Sequence, residues 1–298
     1  MLDNDTTDSI YILNDGSAQT EHERLNRQHV LFMEILENDL LPPHIKSSLA
    51  ASTQPPKVLD LATGTGIWLL SVAKELPSDA ELVGLDFDTT KFPPPAELPN
   101  NVSLRKANMF EPFPDELLGT FDVVNVRLII FALKAGDGLD LVKNIMTLLK
   151  PGGWVVWTET GPLVTVIEPP SLAWYKFQDV NYRFAKRVGR DLNLPIGMVK
   201  YIKDAGCEEC GDKAYAGHSQ FYTQNAKDWV ERTNTHFDTF IPQTLRGIVS
   251  LGGVEGMTTQ KDVDALVAEA NRDFGGRDRK IQYLFMRAWG RKPGAPAS

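Results

Sequence analysis

An apolar run from Lys57 to Leu61 breaks into Ala62-Thr63-Gly64-Thr65-Gly66, resumes as a helical stretch from Ile67 to Leu76, and is followed by a second apolar run ending on Asp86. Strand, small-residue turn, helix and acid-tipped strand, in that order, make a cradle for a nucleotide-type ligand. The turn lets a ligand approach the backbone, and the first helical N–H groups face it. The loop's own residues decide which ligand. A P-loop needs Gly-Lys-Ser/Thr to hold triphosphate and magnesium, whereas Gly66 is followed by Ile67 and Trp68. A dinucleotide loop needs a third small residue three positions after the second glycine, and that position is Leu69. What remains is a turn preceded by Asp60 that suits a ligand with an amino-acid end and a ribose. The amine of such a ligand seeks a carboxylate or backbone carbonyls, and the ribose hydroxyls seek Asp86.

In this form the loop resembles the glycine motif of the class I S-adenosylmethionine-dependent methyltransferases. The likeness continues in the family's order over residues 57 to 160. Val102 to Ala107 leads into Asn108, Met109 and Phe110, where the family places an acidic residue beside the adenine amino group and an apolar neighbour under the ring. Phe121 to Ile130 is the matching fourth strand, and Leu148 to Trp157, with Pro151-Gly152-Gly153, is the turn into the fifth. The resemblance implies S-adenosyl-L-methionine as cofactor and S-adenosyl-L-homocysteine as product. It places Asp60, Ala62, Thr63, Gly64, Gly66, Asp86, Phe87, Asn108, Met109, Phe110 and Arg127 around them. Two positions depart from the family: Ala62 stands for the first glycine of the loop, and Asn108 for the usual Asp. The first keeps a small side chain and the second a carbonyl acceptor.

The core alternates strand and helix. Strands are expected near 57–62, 81–86, 102–107, 121–127 and 153–159, with helices near 66–76 and 137–149. Alternation of this kind implies a mainly parallel sheet covered on both faces, with ligands beyond the carboxyl ends of its strands. Glu21 to Leu40 carries Leu25, Phe32, Met33, Leu36 and Leu40 at helical spacing and reads as an amphipathic helix ended by Pro42-Pro43. Past Glu159 come helical candidates at 171–188, 225–245 and 260–272, a sixth strand at 208–216 and a last strand at 281–290. The first candidate, carrying Trp174, Tyr175, Phe177, Tyr182 and Phe184, reads as a lid or pocket wall. The implied fold is α/β: a seven-stranded, mainly parallel, Rossmann-like methyltransferase sheet with its last strand antiparallel, an N-terminal helical arm and helical lid insertions. The expected organisation is an arm over residues 1–45, a cofactor-binding core over 46–160, substrate-cap insertions over 161–206 and 218–278, remaining core strands over 207–217 and 279–292, and a flexible tail over 293–298.

Charge and cysteine content exclude other classes. With 31 basic and 39 acidic residues the net charge is −8, so a polyanion is repelled and nucleic acid is a poor partner. No eighteen-residue apolar run occurs, and the N-terminus has neither a basic flank nor an apolar core region, which points to a soluble cytoplasmic protein without membrane partners. Cys207 and Cys210 form a lone Cys-Glu-Glu-Cys with the five histidines scattered, so no metal is assigned. A monomer and a homodimer are both compatible with the chain.

The arm narrows the resemblance. Tyr11, Glu21, Arg24-Leu25 and Gln28-His29 before the class I core, with Met286-Arg287-Ala288-Trp289-Gly290 in the last strand, are similar to the fungal methyltransferases related to the velvet-complex methyltransferase LaeA. The resemblance implies an arm folded over the cofactor with Tyr11, Arg24, Gln28 and His29 near it, and a small natural-product acceptor, methylated at oxygen first and at nitrogen or sulfur next. A hydroxyl or phenol benefits from a general base, and His29, His218 and His236 are the candidates of suitable type. Glu159, at the end of the fifth strand, is a candidate for orienting the acceptor. Two other readings stay open: a regulator or partner protein that keeps the cofactor site, and a pericyclase-type enzyme that binds the cofactor without transferring its methyl group.

Overall fold

The computed structural model describes residues 18–274 and 279–294. Tyr11 and the last four residues of the tail therefore lie outside the described residues. Seven strands form one sheet: β1 (Lys57–Leu61), β2 (Glu81–Asp86), β3 (Val102–Lys106), β4 (Phe121–Arg127), β5 (Leu149–Glu168), β6 (Glu208–Ala216) and β7 (Lys280–Arg291). Their order is β3-β2-β1-β4-β5-β7-β6, with β3 to β5 parallel and β7 antiparallel to both of its neighbours. This is the α/β arrangement expected from the alternation. Val58, Leu59, Val83, Val123, Val124, Val155 and Val156 are fully buried, as strands covered on both faces require.

The helices are α1 (Ala18–Ile35), α2 (Pro43–Ala50), α3 (Ile67–Val72), α4 (Asp137–Leu148), α5 (Leu172–Val188), α6 (Leu194–Asp204), α7 (Ala226–Ser250) and α8 (Gln260–Phe274). Three details differ from the sequence reading. Pro42-Pro43 does not end the first helix: α1 stops at Ile35, Glu37 and Asn38 turn the chain with φ of 59° each, and Pro43 opens α2 at a position where a missing N–H costs nothing. The insertion at 161–206 begins as strand, because β5 runs on to Glu168 through an irregularity between Thr160 and Thr165 and stays paired with β7. Helix α6, in the same stretch, was also unforeseen. Its Leu194, Met198 and Ile202 are buried at helical spacing, but Pro195 and Gly197 mask that pattern locally.

Helix α5 starts where Ser171 accepts the Trp174 N–H and ends at Gly189 in the left-handed region, φ 73°. It packs on α7 and α8; α5 also lies against β5, and α7 against β7, whose amino-terminal end pairs with the carboxyl end of β5. Helix α1 reaches the same end from the other flank. It lies against α3, α7 and the turn Thr89–Lys91, with Asn26 Oδ1 accepting from Thr65 Oγ1 at 2.7 Å. Among the described residues, no helix is long and apolar enough to cross a membrane.

Candidate active site

The turn after β1 is built on left-handed backbone. Ala62, Gly64 and Gly66 have φ of 57°, 60° and 77°. Below it, Gly84 in β2 leaves room that a Cβ would fill, 2.5 Å from Leu104 Cδ2 and 2.8 Å from Thr63 Cγ2. Asp86 fastens the turn from the end of β2: one carboxylate oxygen accepts the Gly64 N–H at 2.7 Å and the other the Asp88 N–H at 2.9 Å. Asp60 fastens it from beneath, accepting from Thr63 Oγ1 at 2.8 Å and Asn125 Nδ2 at 2.7 Å.

These elements open into a cavity of about 1220 Å³ at the carboxyl ends of the parallel strands. Arg24, Gln28, His29, Ala62, Thr63, Gly64, Asp86, Phe87, Asn108, Met109, Phe110, Arg127 and His236 all line it. Four sequence candidates do not. Asp60 is buried, 1% exposed, and burial raises its pKa, so it supports the loop rather than meeting an amine. Gly66 sits one turn further in, starting α3. Glu159 is fully buried, taking the Ile129 N–H at 2.7 Å and the Trp157 indole N–H at 3.0 Å, and burial pushes its carboxyl up to about 8. It holds the chain after β4 in place and does not reach the cavity. His218 is exposed on the turn Gly217–Tyr222, against the Tyr222 ring, and is absent from the cavity wall. Neither Glu159 nor His218 is placed to touch an acceptor.

The two histidines that line the cavity differ. Ser71 commits its one proton to the Ile67 carbonyl at 2.9 Å, so the 3.1 Å contact between Ser71 Oγ and His29 Nε2 assigns the proton to Nε2. That leaves His29 Nδ1 as the acceptor facing Arg127 Nη1 at 3.5 Å. Burial, then Arg127 and Lys74, lower the pKa of His29 to about 3. With both nitrogens engaged inside the protein, His29 is a positioning residue and not a base, contrary to the preference its place in the arm suggested. His236 instead sits among rings, 5.2 Å from Phe32, 5.8 Å from Tyr283 and 6.2 Å from Phe240, centroid to centroid. Burial, then Arg24 and Arg27, lower it to about 3 as well, so it faces the cavity as a neutral imidazole.

Sequence reasoning passed over several wall residues. Glu21 appears in the arm pattern without a role, yet both its oxygens bind the Arg24 guanidinium, at 2.7 and 2.8 Å, and Gln243 reaches it from α7 at 3.3 Å. Tyr283 looks like ordinary strand core by its alternation with Phe285. It lines the cavity, however, with its hydroxyl buried and without a hydrogen-bond partner among the described residues, and its pKa is raised by burial. Phe131 lies in a short turn after β4 where no periodicity exists to mark it.

The cavity fits a nucleoside with an amino-acid tail. Asp86 offers its carboxylate at the strand end, Phe87 and Phe110 are half exposed beside Asn108 and Met109, and half-buried Arg127 has a buried Nε without a hydrogen-bond partner among the described residues. Comparison with known proteins agrees. Residues 32–251 match the methyltransferase domain family, and the chain belongs to that family. It is similar to N-methyltransferase tcpN of Claviceps purpurea (strain 20.1), 31% identical over 64% of this chain and 69% of the relative. It is also similar to methyltransferase grgD of a Penicillium species, 34% identical over 65% and 67%. Among solved structures, phosphoethanolamine N-methyltransferase 2 of Haemonchus contortus in complex with S-adenosyl-L-methionine aligns with 96% of this chain and 60% of that one, at 18% identity and a TM-score of 0.49. The protein is an S-adenosylmethionine-dependent methyltransferase, and the relatives it resembles are fungal methyltransferases.

Proposed function

We propose that the protein methylates a small, largely aromatic natural product, with nitrogen as the first acceptor atom and oxygen next. The observation that carries this is the continuity of one cavity: the loop and strand ends that suit the donor run without a partition into a wall of Phe32, Phe131, Trp174, Phe237, Phe240 and Tyr283. Nitrogen comes before oxygen because relatives such as tcpN are named N-methyltransferases.

In this reading Asp86 receives the ribose hydroxyls, and Phe87, Asn108, Met109 and Phe110 hold the adenine. Ala62, Thr63, Gly64, Arg24, Gln28 and Arg127 receive the amino-acid end. When bound, the donor supplies an electrophilic methyl group on a sulfonium, which demands alignment and dryness more than strong catalysis. The aromatic wall orients the acceptor and excludes water. His236, neutral and facing the cavity, can accept a hydrogen bond from the acceptor's N–H or O–H group and so orient it. Helix α1 closes the site over the loop.

Isothermal titration with S-adenosylmethionine and S-adenosylhomocysteine, with NAD as control, tests the donor assignment, and transfer of labelled methyl to a panel of aromatic amines, amides and phenols tests the acceptor. Micromolar binding of both ligands without NAD binding is expected. Kinship with the velvet-complex regulator LaeA rests on the arm pattern, and donor binding that needs a partner protein would favour a regulatory role instead.

A further inference from the structure

Resting on the placement of the donor proposed above, we infer that Glu111 is a positioning residue: it turns the Asn108 amide so that the carbonyl end meets the purine, and the site thereby selects a 6-amino purine over a 6-oxo one. Asn108 lines the cavity, whereas Glu111 is exposed and stands outside its wall. Glu111 therefore acts through Asn108.

An amide has two unlike ends of nearly the same shape. Its oxygen accepts hydrogen bonds and its NH₂ group donates them, so a half-turn of the side chain reverses what a ligand meets. Two neighbours of opposite character fix the direction at Asn108. Glu111 Oε1, on a carboxylate that accepts, lies 3.0 Å from Nδ2, and the Phe110 N–H, which donates, lies 3.1 Å from Oδ1. Turned over, the amide would set its NH₂ group against an N–H and its oxygen against a carboxylate. In the direction it takes, Oδ1 keeps a second lone pair for a ligand N–H. A 6-amino purine offers that N–H at its 6-position, where a 6-oxo purine offers a second acceptor.

The turn that carries the amide is held by other groups. The Glu111 N–H donates to the Asn108 carbonyl at 3.2 Å, and Asn144, on α4, donates through Nδ2 to the Met109 carbonyl at 3.0 Å and the Glu111 carbonyl at 2.8 Å. All three acceptors are main-chain oxygens. Trimming the Glu111 side chain leaves these bonds in place and releases the amide alone, so the direction of the amide and the seat of the turn are separable.

The test uses the full chain and calorimetry at pH 7 with S-adenosylhomocysteine and S-inosylhomocysteine, its 6-oxo counterpart. Binding of S-adenosylhomocysteine to the parent protein is measured first. Its failure would remove the methyltransferase reading and this inference with it, whereas the ratio of the two affinities bears on Glu111 alone. The parent is expected to prefer S-adenosylhomocysteine by about tenfold or more. Glu111→Ala frees the amide and should narrow that preference by about threefold or more. Glu111→Gln, whose own amide can meet either end of Asn108, should narrow it as well and serves if the first variant does not fold. A loosened turn would weaken both ligands alike and leave the ratio unchanged; that outcome overturns the positioning role, as does a parent without preference. Asn108→Asp supplies the last comparison. A carboxylate has two like ends, so in that background Glu111→Ala should leave the ratio unchanged. Equal narrowing in both backgrounds would mean that Glu111 meets the purine itself, which also overturns the inference.

Discussion

His29 Nδ1 and Arg127 Nη1 meet at 3.5 Å, joining the N-terminal helix to the end of the fourth strand. Because Nε2 donates to Ser71 on α3, one imidazole ties together three elements that each contribute to the cavity. The contact explains why a histidine in the arm is neutral and why the arm has a fixed seat over the glycine turn. His29→Ala is therefore expected to weaken binding of S-adenosylhomocysteine by about fivefold, roughly 1 kcal/mol, through a loosened arm. Calorimetry on the variant checks this, and unchanged affinity would show that the arm is seated by other contacts.

The two cavity histidines also make a pH prediction. Each has a folded pKa of about 3 against an ordinary 6.5, so between those values the unfolded chain binds more protons than the folded one. Their contribution to stability is complete above pH 6.5 and is lost as pH falls toward 3. In proton–carbon correlation spectra the imidazole signals of His29 and His236 should stay at their neutral positions from pH 8 down to pH 5. Titration of either near pH 6 would contradict the buried, cation-flanked setting and remove His236's assigned protonation state.

The loop's seat on β2 is tested by filling the space at Gly84. A Cβ there would meet Leu104 and Thr63 at 2.5 and 2.8 Å, and Thr63 belongs to the turn itself. Gly84→Ala should cost about 1–3 kcal/mol of stability and displace the turn, so that ligand affinity falls together with the denaturation midpoint. Asp86→Ala removes the carboxylate that holds two loop N–H groups and that we propose receives the ribose, and should weaken calorimetric affinity by about 1–3 kcal/mol. Wild-type affinity in Asp86→Ala would remove that residue from the donor site.

Local signals in the sequence brought out the loop and strand-end side of the cavity but not its aromatic side, and the reason is physical. Gly64, Asp86 and Asn108 each follow or end a strand legible in the sequence, so the strand pattern places them at one edge of the sheet. Phe131, Tyr283 and Glu21 are brought together only by tertiary packing: a turn after β4, an antiparallel strand from the far end of the chain, and a helix from its beginning. Burial could not be read either. Glu159 has the same strand-end position as Asp86, yet the strand continues past it to Glu168, and that extension encloses it. His218 misled for the opposite reason, since it follows a strand at the sheet's exposed edge.

Ala62 stands where the family uses glycine, and the structure shows the cost of the difference. Its φ of 57° places a Cβ in the left-handed region, about 1–2 kcal/mol less favourable than for glycine. Glycine's greater freedom in the unfolded chain returns about 0.5–1 kcal/mol of that. Ala62→Gly should therefore stabilise the protein by roughly 0.5–1 kcal/mol, seen as a higher urea midpoint at an unchanged slope. A lower midpoint would mean that the alanine methyl packs usefully against the cavity rim.

Glu159 offers a prediction of opposite sign to the histidines. Its carboxyl titrates near 8 in the folded protein against an ordinary 4.5, so between those values the folded chain keeps a proton that the unfolded chain has lost. The stability it contributes is complete below pH 4.5 and disappears as pH rises through 8. Glutamine does not titrate, and its carbonyl can still accept from the Ile129 and Trp157 N–H groups. Relative to the parent protein, Glu159→Gln should therefore gain stability steadily from pH 5 to pH 8.5, by at least about 1 kcal/mol, the equivalent of roughly one pKa unit. Chemical denaturation of both proteins across that range measures the gap. Parallel stability curves would show that the buried carboxyl ionises at its ordinary pH, and Glu159 would then have to be an anion paired with Arg127 rather than a neutral anchor for the chain after β4.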